Sequence, residues 1–148
     1  MRFFVAATVA VFLATFNLGY VFHELVMGAW FQEQEHLIAR EKFIIPAIAL
    51  AFLVYSAILA HLFPIYRRHF GRRSTIPLAL QFGLLMGVLF DALQGGLIEY
   101  ATFRMPFQAF LVDSAYHVLV EGTVAGLVLA LVYQRVVERR PAAVRRAS

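Results

Sequence analysis

The chain contains no cysteine in its 148 residues. That absence excludes a disulfide scaffold, thiolate metal sites, iron–sulfur clusters and thiol redox chemistry. Charge is also scarce, since Asp, Glu, Lys and Arg make up 15% of the residues against about a quarter in an ordinary soluble domain. Internal repeats, low-complexity stretches and a second domain are missing, so residues 1–148 read as a single integral membrane domain. No HExxH pair, repeated ExxH or nucleophile elbow occurs, and no residue is assigned a catalytic role.

Apolar surface is what the chain has in excess: 61% of residues are hydrophobic and the mean hydropathy is +0.74. A soluble domain of this size would carry about half, so the excess is expected to face lipid. Four runs, about 3–31, 44–66, 76–103 and 107–135, each reach the length of about 20 residues that a helix needs to cross a bilayer. They are too long for membrane strands, and in lipid only helices or closed barrels satisfy their own backbone. Pro46, Pro77 and Pro106 stand in the first turn of the later runs, where a missing N–H costs no hydrogen bond. Ser74 or Thr75 can cap the third helix, and Pro64 and Pro141 lie near or beyond helix ends. The fold class expected is all-α, a four-transmembrane-helix bundle. A secretory signal over the first run would leave three helices, but its apolar character outlasts such a core and no small-residue cleavage site follows.

The cations sort by side. Arg2, the loop residues Arg67, Arg68, Arg72 and Arg73, and Arg135, Arg139, Arg140, Arg145 and Arg146 fall on one side, ten against the three of Arg40, Lys42 and Arg104. The excess puts both termini in the cytoplasm and the loop 32–42 outside, in a bacterial inner membrane. Residues 136–148 form a basic cytoplasmic tail that either docks on anionic headgroups or acts as a solvated stop signal. Basic residues distributed this way argue against nucleic acid as a partner. The expected partner is the lipid bilayer itself.

Several polar residues fall where lipid should exclude them. An acid at the bilayer centre costs from about 2.5 to over 10 kcal/mol, so each needs a partner, water or a proton. Counting about 1.5 Å per residue from the outer ends puts Asp91 and Glu121 near the midplane, with Gln94 and His117 above them. His23, Glu24, Glu99 and Asp113 lie nearer the outer surface. Asp113, His117 and Glu121 recur at i, i+4 and i+8 and line one stripe of the fourth helix, and Asp91, Gly95 and Glu99 do the same on the third. The second helix offers only Tyr55 and His61, which suits a lipid-facing scaffold. Gly83 with Gly87, and Gly122 with Gly126, are small-xxx-small pairs that bring helices three and four together or serve a homodimer.

Three readings of the polar set stay open. His117, Glu121 and Asp91, joined by Glu24 and His23, suit a divalent metal ion such as zinc, iron or manganese. The same residues suit a proton or cation relay, or a structural network that sets helix register. Haem between His23 and His117 is disfavoured, because their depths differ by about a turn and a half and carboxylates surround them. Ser114 is expected to bond its own helix backbone. Trp30, Tyr66 and Tyr100 end their runs as interfacial anchors.

The runs Gly19-Tyr20-Val21-Phe22-His23, Gln81-Phe82-Gly83-Leu84 and Gly126-Leu127-Val128 resemble a group of small bacterial four-helix inner-membrane proteins of unknown function. The resemblance covers most of the chain and implies the architecture and the bacterial inner membrane, with no activity attached. This sequence departs from that pattern by carrying more acids in its third and fourth helices. The expected function is a small multi-pass protein with an outward-opening polar pocket that binds or conducts a cation or proton. The alternative is a non-catalytic accessory subunit of a larger membrane complex.

Overall fold

A computed structural model describes residues 1–35, 44–70, 73–102 and 106–138. Arg40, Lys42, Arg104 and the tail beyond Glu138 lie outside the described residues, as do the side chains of Gln94 and Glu99. The described chain is all-helical, and four of its helices are long and apolar enough to cross a membrane. They are α1 (Arg2–Val26), α3 (Ile45–His69), α4 (75–102, with the apolar span Thr75–Ala92) and α5 (Phe107–Glu138), while α2 (Gly28–Glu35) is a short helix after the first span.

Two boundaries differ from those the sequence suggests. The first run is not one helix to residue 31: Met27 leaves helical geometry at φ −112° and ψ 1°, and α2 starts afresh at Gly28. Apolar periodicity cannot register such a break, because Met27 is as apolar as its neighbours. The second helix, with Pro64 inside it, runs past Tyr66 to His69. Proline's fixed φ fits a helix and its cost is the lost hydrogen bond and ring clash. Against that cost stand the aromatic contacts of the next turns, with the Tyr66 ring 5.1 Å from Phe82 and 4.7 Å from Phe70.

The spans run antiparallel, so that the start of α1, the end of α3, the start of α4 and the end of α5 share one end, hereafter the basic end. Phe3 touches both Phe63 and Tyr133 there, at ring separations of 6.5 and 5.3 Å. Glu138 ties three of the helices, accepting from the Thr75 hydroxyl at 2.5 Å and from Arg67 at 3.4 Å, while the Arg67 guanidinium lies 5.9 Å from the Tyr133 ring centre. Because the Thr75 hydroxyl is given to Glu138, α4 starts without a side-chain cap from Ser74 or Thr75.

The packed core occupies the half of the bundle toward the basic end. Ala7, Val11, Leu59, Phe63, Ala79, Ala125, Leu129 and Ala130 are fully enclosed there. Small residues set how close the backbones come. A Cβ on Gly83 would run into the Gly122 carbonyl oxygen, one on Gly122 would lie 2.8 Å from the Gly83 carbonyl, and one on Gly126 would run into the Ala79 carbonyl. Helices α4 and α5 therefore cross backbone to backbone at this point, which is how helices gain contact where lipid removes the hydrophobic drive. Two buried hydroxyls bond within their own helices, Thr15 on the Val11 carbonyl at 3.0 Å and Ser56 on that of Phe52 at 2.7 Å.

Candidate functional site

Away from the basic end the helices change character. Val21–Val26 in α1, Gly87–Gly96 in α4 and Tyr116–Glu121 in α5 are wound as π-helix. Wide turns of this kind are rare and concentrate at functional sites. Here they carry His23, Asp91, His117 and Glu121. Glycine helps to admit one of them, since it adds no side chain to the helix surface and weakens regular α-winding. At Gly87 an added Cβ would stand 3.0 Å from Val118 Cα, and at Gly96 it would stand 2.7 Å from Ser114 Oγ. Helices α4 and α5 thus stay in contact on both sides of Asp91, through backbone at Gly87 and through the Ser114 and Phe110 side chains at Gly96.

His117 is the hub. Its Nδ1 pairs with Glu121 Oε2 at 2.5 Å, and its Nε2 faces Asp113 Oδ1 at 3.6 Å. His23, reaching across from α1, brings its Nε2 to 3.5 Å from the same Asp113 oxygen, with the two imidazole centres 5.6 Å apart. Ligand atoms of His23, Asp113 and His117 all lie within 4.8 Å of one another. Glu121 is only 2% exposed. Beside the cluster, the rings of Phe22 and Tyr116 stack face to face at 3.6 Å and 3°, and Tyr116 also meets the His23 ring edge-on at 5.9 Å. That stack ties α1 to α5 at the level where the two histidines meet.

The distances discriminate between chemistries. Direct N–H···O bonds run about 2.7–3.2 Å, and both contacts to Asp113 are longer. Two donors about 2.1 Å from a tetrahedral metal ion stand about 3.4 Å apart, close to the observed 3.5 and 3.6 Å. Asp113 Oδ1 is buried and has no hydrogen-bond partner among the described residues. Two imidazoles and a carboxylate are suitable donors for zinc, iron or manganese. Glu121 on the far nitrogen of His117 completes the carboxylate–histidine arrangement that fixes ring orientation and raises ligand basicity in metal sites. Asp113, by reaching both imidazoles, stands where a porphyrin between them would have to pass.

On the other side of His117 lies a cavity of about 440 Å³ between α3, α4 and α5, lined by Phe52, Tyr55, Phe90, Asp91, His117 and Glu121 among others. The structure thus brings Asp91, His117 and Glu121 to one cavity, but the group with metal-ligand spacing is His23, Asp113 and His117. Glu121 is turned to the other nitrogen of His117, and Asp91 sits across the cavity. Glu24 is exposed. Tyr55 was not legible as a site residue, since α3 reads as a lipid-facing scaffold; the one signal was a tyrosine midway along an apolar helix, whose hydroxyl seeks a partner. Ser114 differs too: its hydroxyl is buried against α4 with no hydrogen-bond partner among the described residues, instead of bonding its own backbone. Comparison with known proteins returns no matching family model, no matching curated protein and no matching solved structure.

Proposed function

We propose that this chain is a multi-pass protein of a bacterial inner membrane, with both ends cytoplasmic, whose bundle holds a divalent transition-metal ion between His23, Asp113 and His117. The observation that carries the reading is the shared approach of two imidazole nitrogens, at tetrahedral ligand spacing, to one carboxylate oxygen that makes no hydrogen bond among the described residues. Three protein donors leave a position open for water or a further ligand, the pattern of sites that do more than brace a fold. The ten-to-three distribution of cations supports the orientation, and the four long apolar helices support insertion.

Elemental analysis of the purified chain, stripped with chelator and reloaded with zinc, manganese or iron(II), tests the site. About one ion per chain is expected, lost in Asp113→Asn and in His23→Ala; a parent that retains none after reloading overturns the reading. Reporter fusions after Ser148 and at Gly71 should report cytoplasm and one near Glu35 the outside, and an external signal at Gly71 would refute the orientation.

A second reading has its own observation. Asp113, His117 and Glu121 form a continuous line along α5 with His117 in contact with both acids, which is the form of a proton relay. Metal-free protein that carries protons into reconstituted vesicles, and loses that flux in His117→Gln, would favour it.

A further inference from the structure

We propose that the cavity between α3, α4 and α5 binds an organic ammonium ion, held by Asp91 and the surrounding aromatic rings. This is a second site, on the opposite side of His117 from Asp113, and it stands or falls separately from the metal.

Four observations converge. Asp91 and the Tyr55 hydroxyl are both buried and face each other on the cavity wall, yet neither Asp91 Oδ2 nor the hydroxyl makes a well-aligned hydrogen bond among the described residues. A buried carboxylate whose near donor is poorly aligned stays incompletely satisfied until a cation or better donor reaches it. Second, the cavity wall combines that carboxylate with three aromatic side chains, Phe52, Tyr55 and Phe90, of which the last two meet at a tilted 69° with centres 6.0 Å apart. Aromatic faces attract weakly hydrated organic cations, whereas a small hard ion needs oxygen ligands that these rings cannot supply. Third, a volume of about 440 Å³ falls in the range of small-molecule sites and far exceeds what one metal ion occupies.

The fourth observation is the pairing of the acids. Asp113 and Glu121 each lie within ion-pair distance of a histidine, whereas Asp91, on the cavity wall, has no ion pair among the described residues. A univalent cation neutralises it; an anion is repelled and a neutral guest leaves it uncompensated. Access is from the side: Ala51 of α3 lines the cavity and is exposed on the flank of the bundle. An ammonium ion bearing an apolar tail can therefore enter along the seam between α3 and α4.

The test uses the full chain in lipid nanodiscs and benzyltrimethylammonium as the cation, with binding followed by calorimetry. The parent should bind saturably. Asp91→Asn should weaken binding about tenfold or more and Tyr55→Ala by about fivefold, the losses expected when a charge partner or an aromatic wall is removed. Asp113→Asn should abolish metal loading while leaving ammonium binding in place, so failure of either site is seen without the other. A parent that does not bind, or binding unchanged in both Asp91→Asn and Tyr55→Ala, overturns the proposal; the second variant keeps the test valid if the first fails to fold. Competition then identifies the source. Dodecyltrimethylammonium displacing the cation at much lower concentration points to amphiphiles from the bilayer, and equal displacement by both points to soluble ammonium ions.

Discussion

The two halves of this bundle are built on opposite principles. Toward the basic end the helices are α-wound except for the last turn of α5, Gln134–Glu138, which is π-wound, and backbones touch through Gly83, Gly122 and Gly126, with Phe63 and Phe82 enclosed among them. Toward the other end three helices open into π-turns, acids and imidazoles face one another, and a cavity remains. Local rules are broken mostly in the second half, with Pro64 and the π-wound Gln134–Glu138 as the exceptions in the first, and proteins break such rules mainly where they act. The comparison teaches that close packing at one end is what lets the other end keep unpartnered polar atoms and still hold its shape.

Single substitutions can break this contrast. The largest effect belongs to Gly83→Leu, which drives a side chain into the Gly122 backbone, where nothing can move aside. Destabilisation of about 3 kcal/mol or more is expected, seen as loss of a monodisperse peak or a collapse of Tm in detergent. Retention of parental stability would mean that the α4–α5 crossing is not what holds the bundle. Next comes Glu121→Gln, which keeps the side-chain shape but removes the charge behind His117. Metal affinity should fall about 10- to 100-fold, read by chelator competition, while an unchanged affinity would show that Glu121 does not support the ligand.

Smaller effects sharpen the contrast. Asp91→Asn removes a buried carboxylate that has no ion pair among the described residues and keeps an acceptor facing the Tyr55 hydroxyl, so apo-protein stability should rise by up to about 1 kcal/mol; a clear fall would mean that the charge is already compensated within the chain. The smallest effect is expected at Gly95, where an added Cβ meets only the Phe90 carbonyl of its own helix, at 3.4 Å. Gly95→Ala should shift stability by less than about 1 kcal/mol. The same chemical change at Gly122 should cost several times more, and equal Tm shifts for the two alanine variants would erase the distinction between the halves.

Much of the architecture was legible in sequence because long runs of apolar residues leave few alternatives to helices, and four such helices are present. The stripe Asp113, His117 and Glu121 was legible for a similar reason, since i, i+4 spacing puts side chains on one helix face regardless of what lies opposite. Gly83, Gly87, Gly122 and Gly126 were legible as a small-residue pattern, though the sequence left helix pairing and homodimerisation as alternatives. What sequence could not give is register between helices. That His23 rather than Asp91 reaches Asp113, and that Tyr55 faces the cavity, depends on how α1 and α3 are rotated against α5. Wide turns were invisible as well, because one extra residue in a turn leaves the apolar character of the run unchanged.

A π-turn is an α-helix holding one residue too many, and that has a bearing on how such a bundle tolerates insertions and deletions. Deleting a residue from Val21–Val26 or from Tyr116–Glu121 leaves a regular helix on both sides, so the glycine crossing below need not change. Everything beyond the wide turn keeps roughly its facing, because the turn had already absorbed the extra residue, and only side chains inside it are re-aimed. For α1, removing a residue just before His23 would therefore re-aim that imidazole while Ala7 and Val11 stay seated in the core. The wide turns thus act as gear teeth between the two ends: chain length can be counted differently at the polar end without disturbing the count at the basic one.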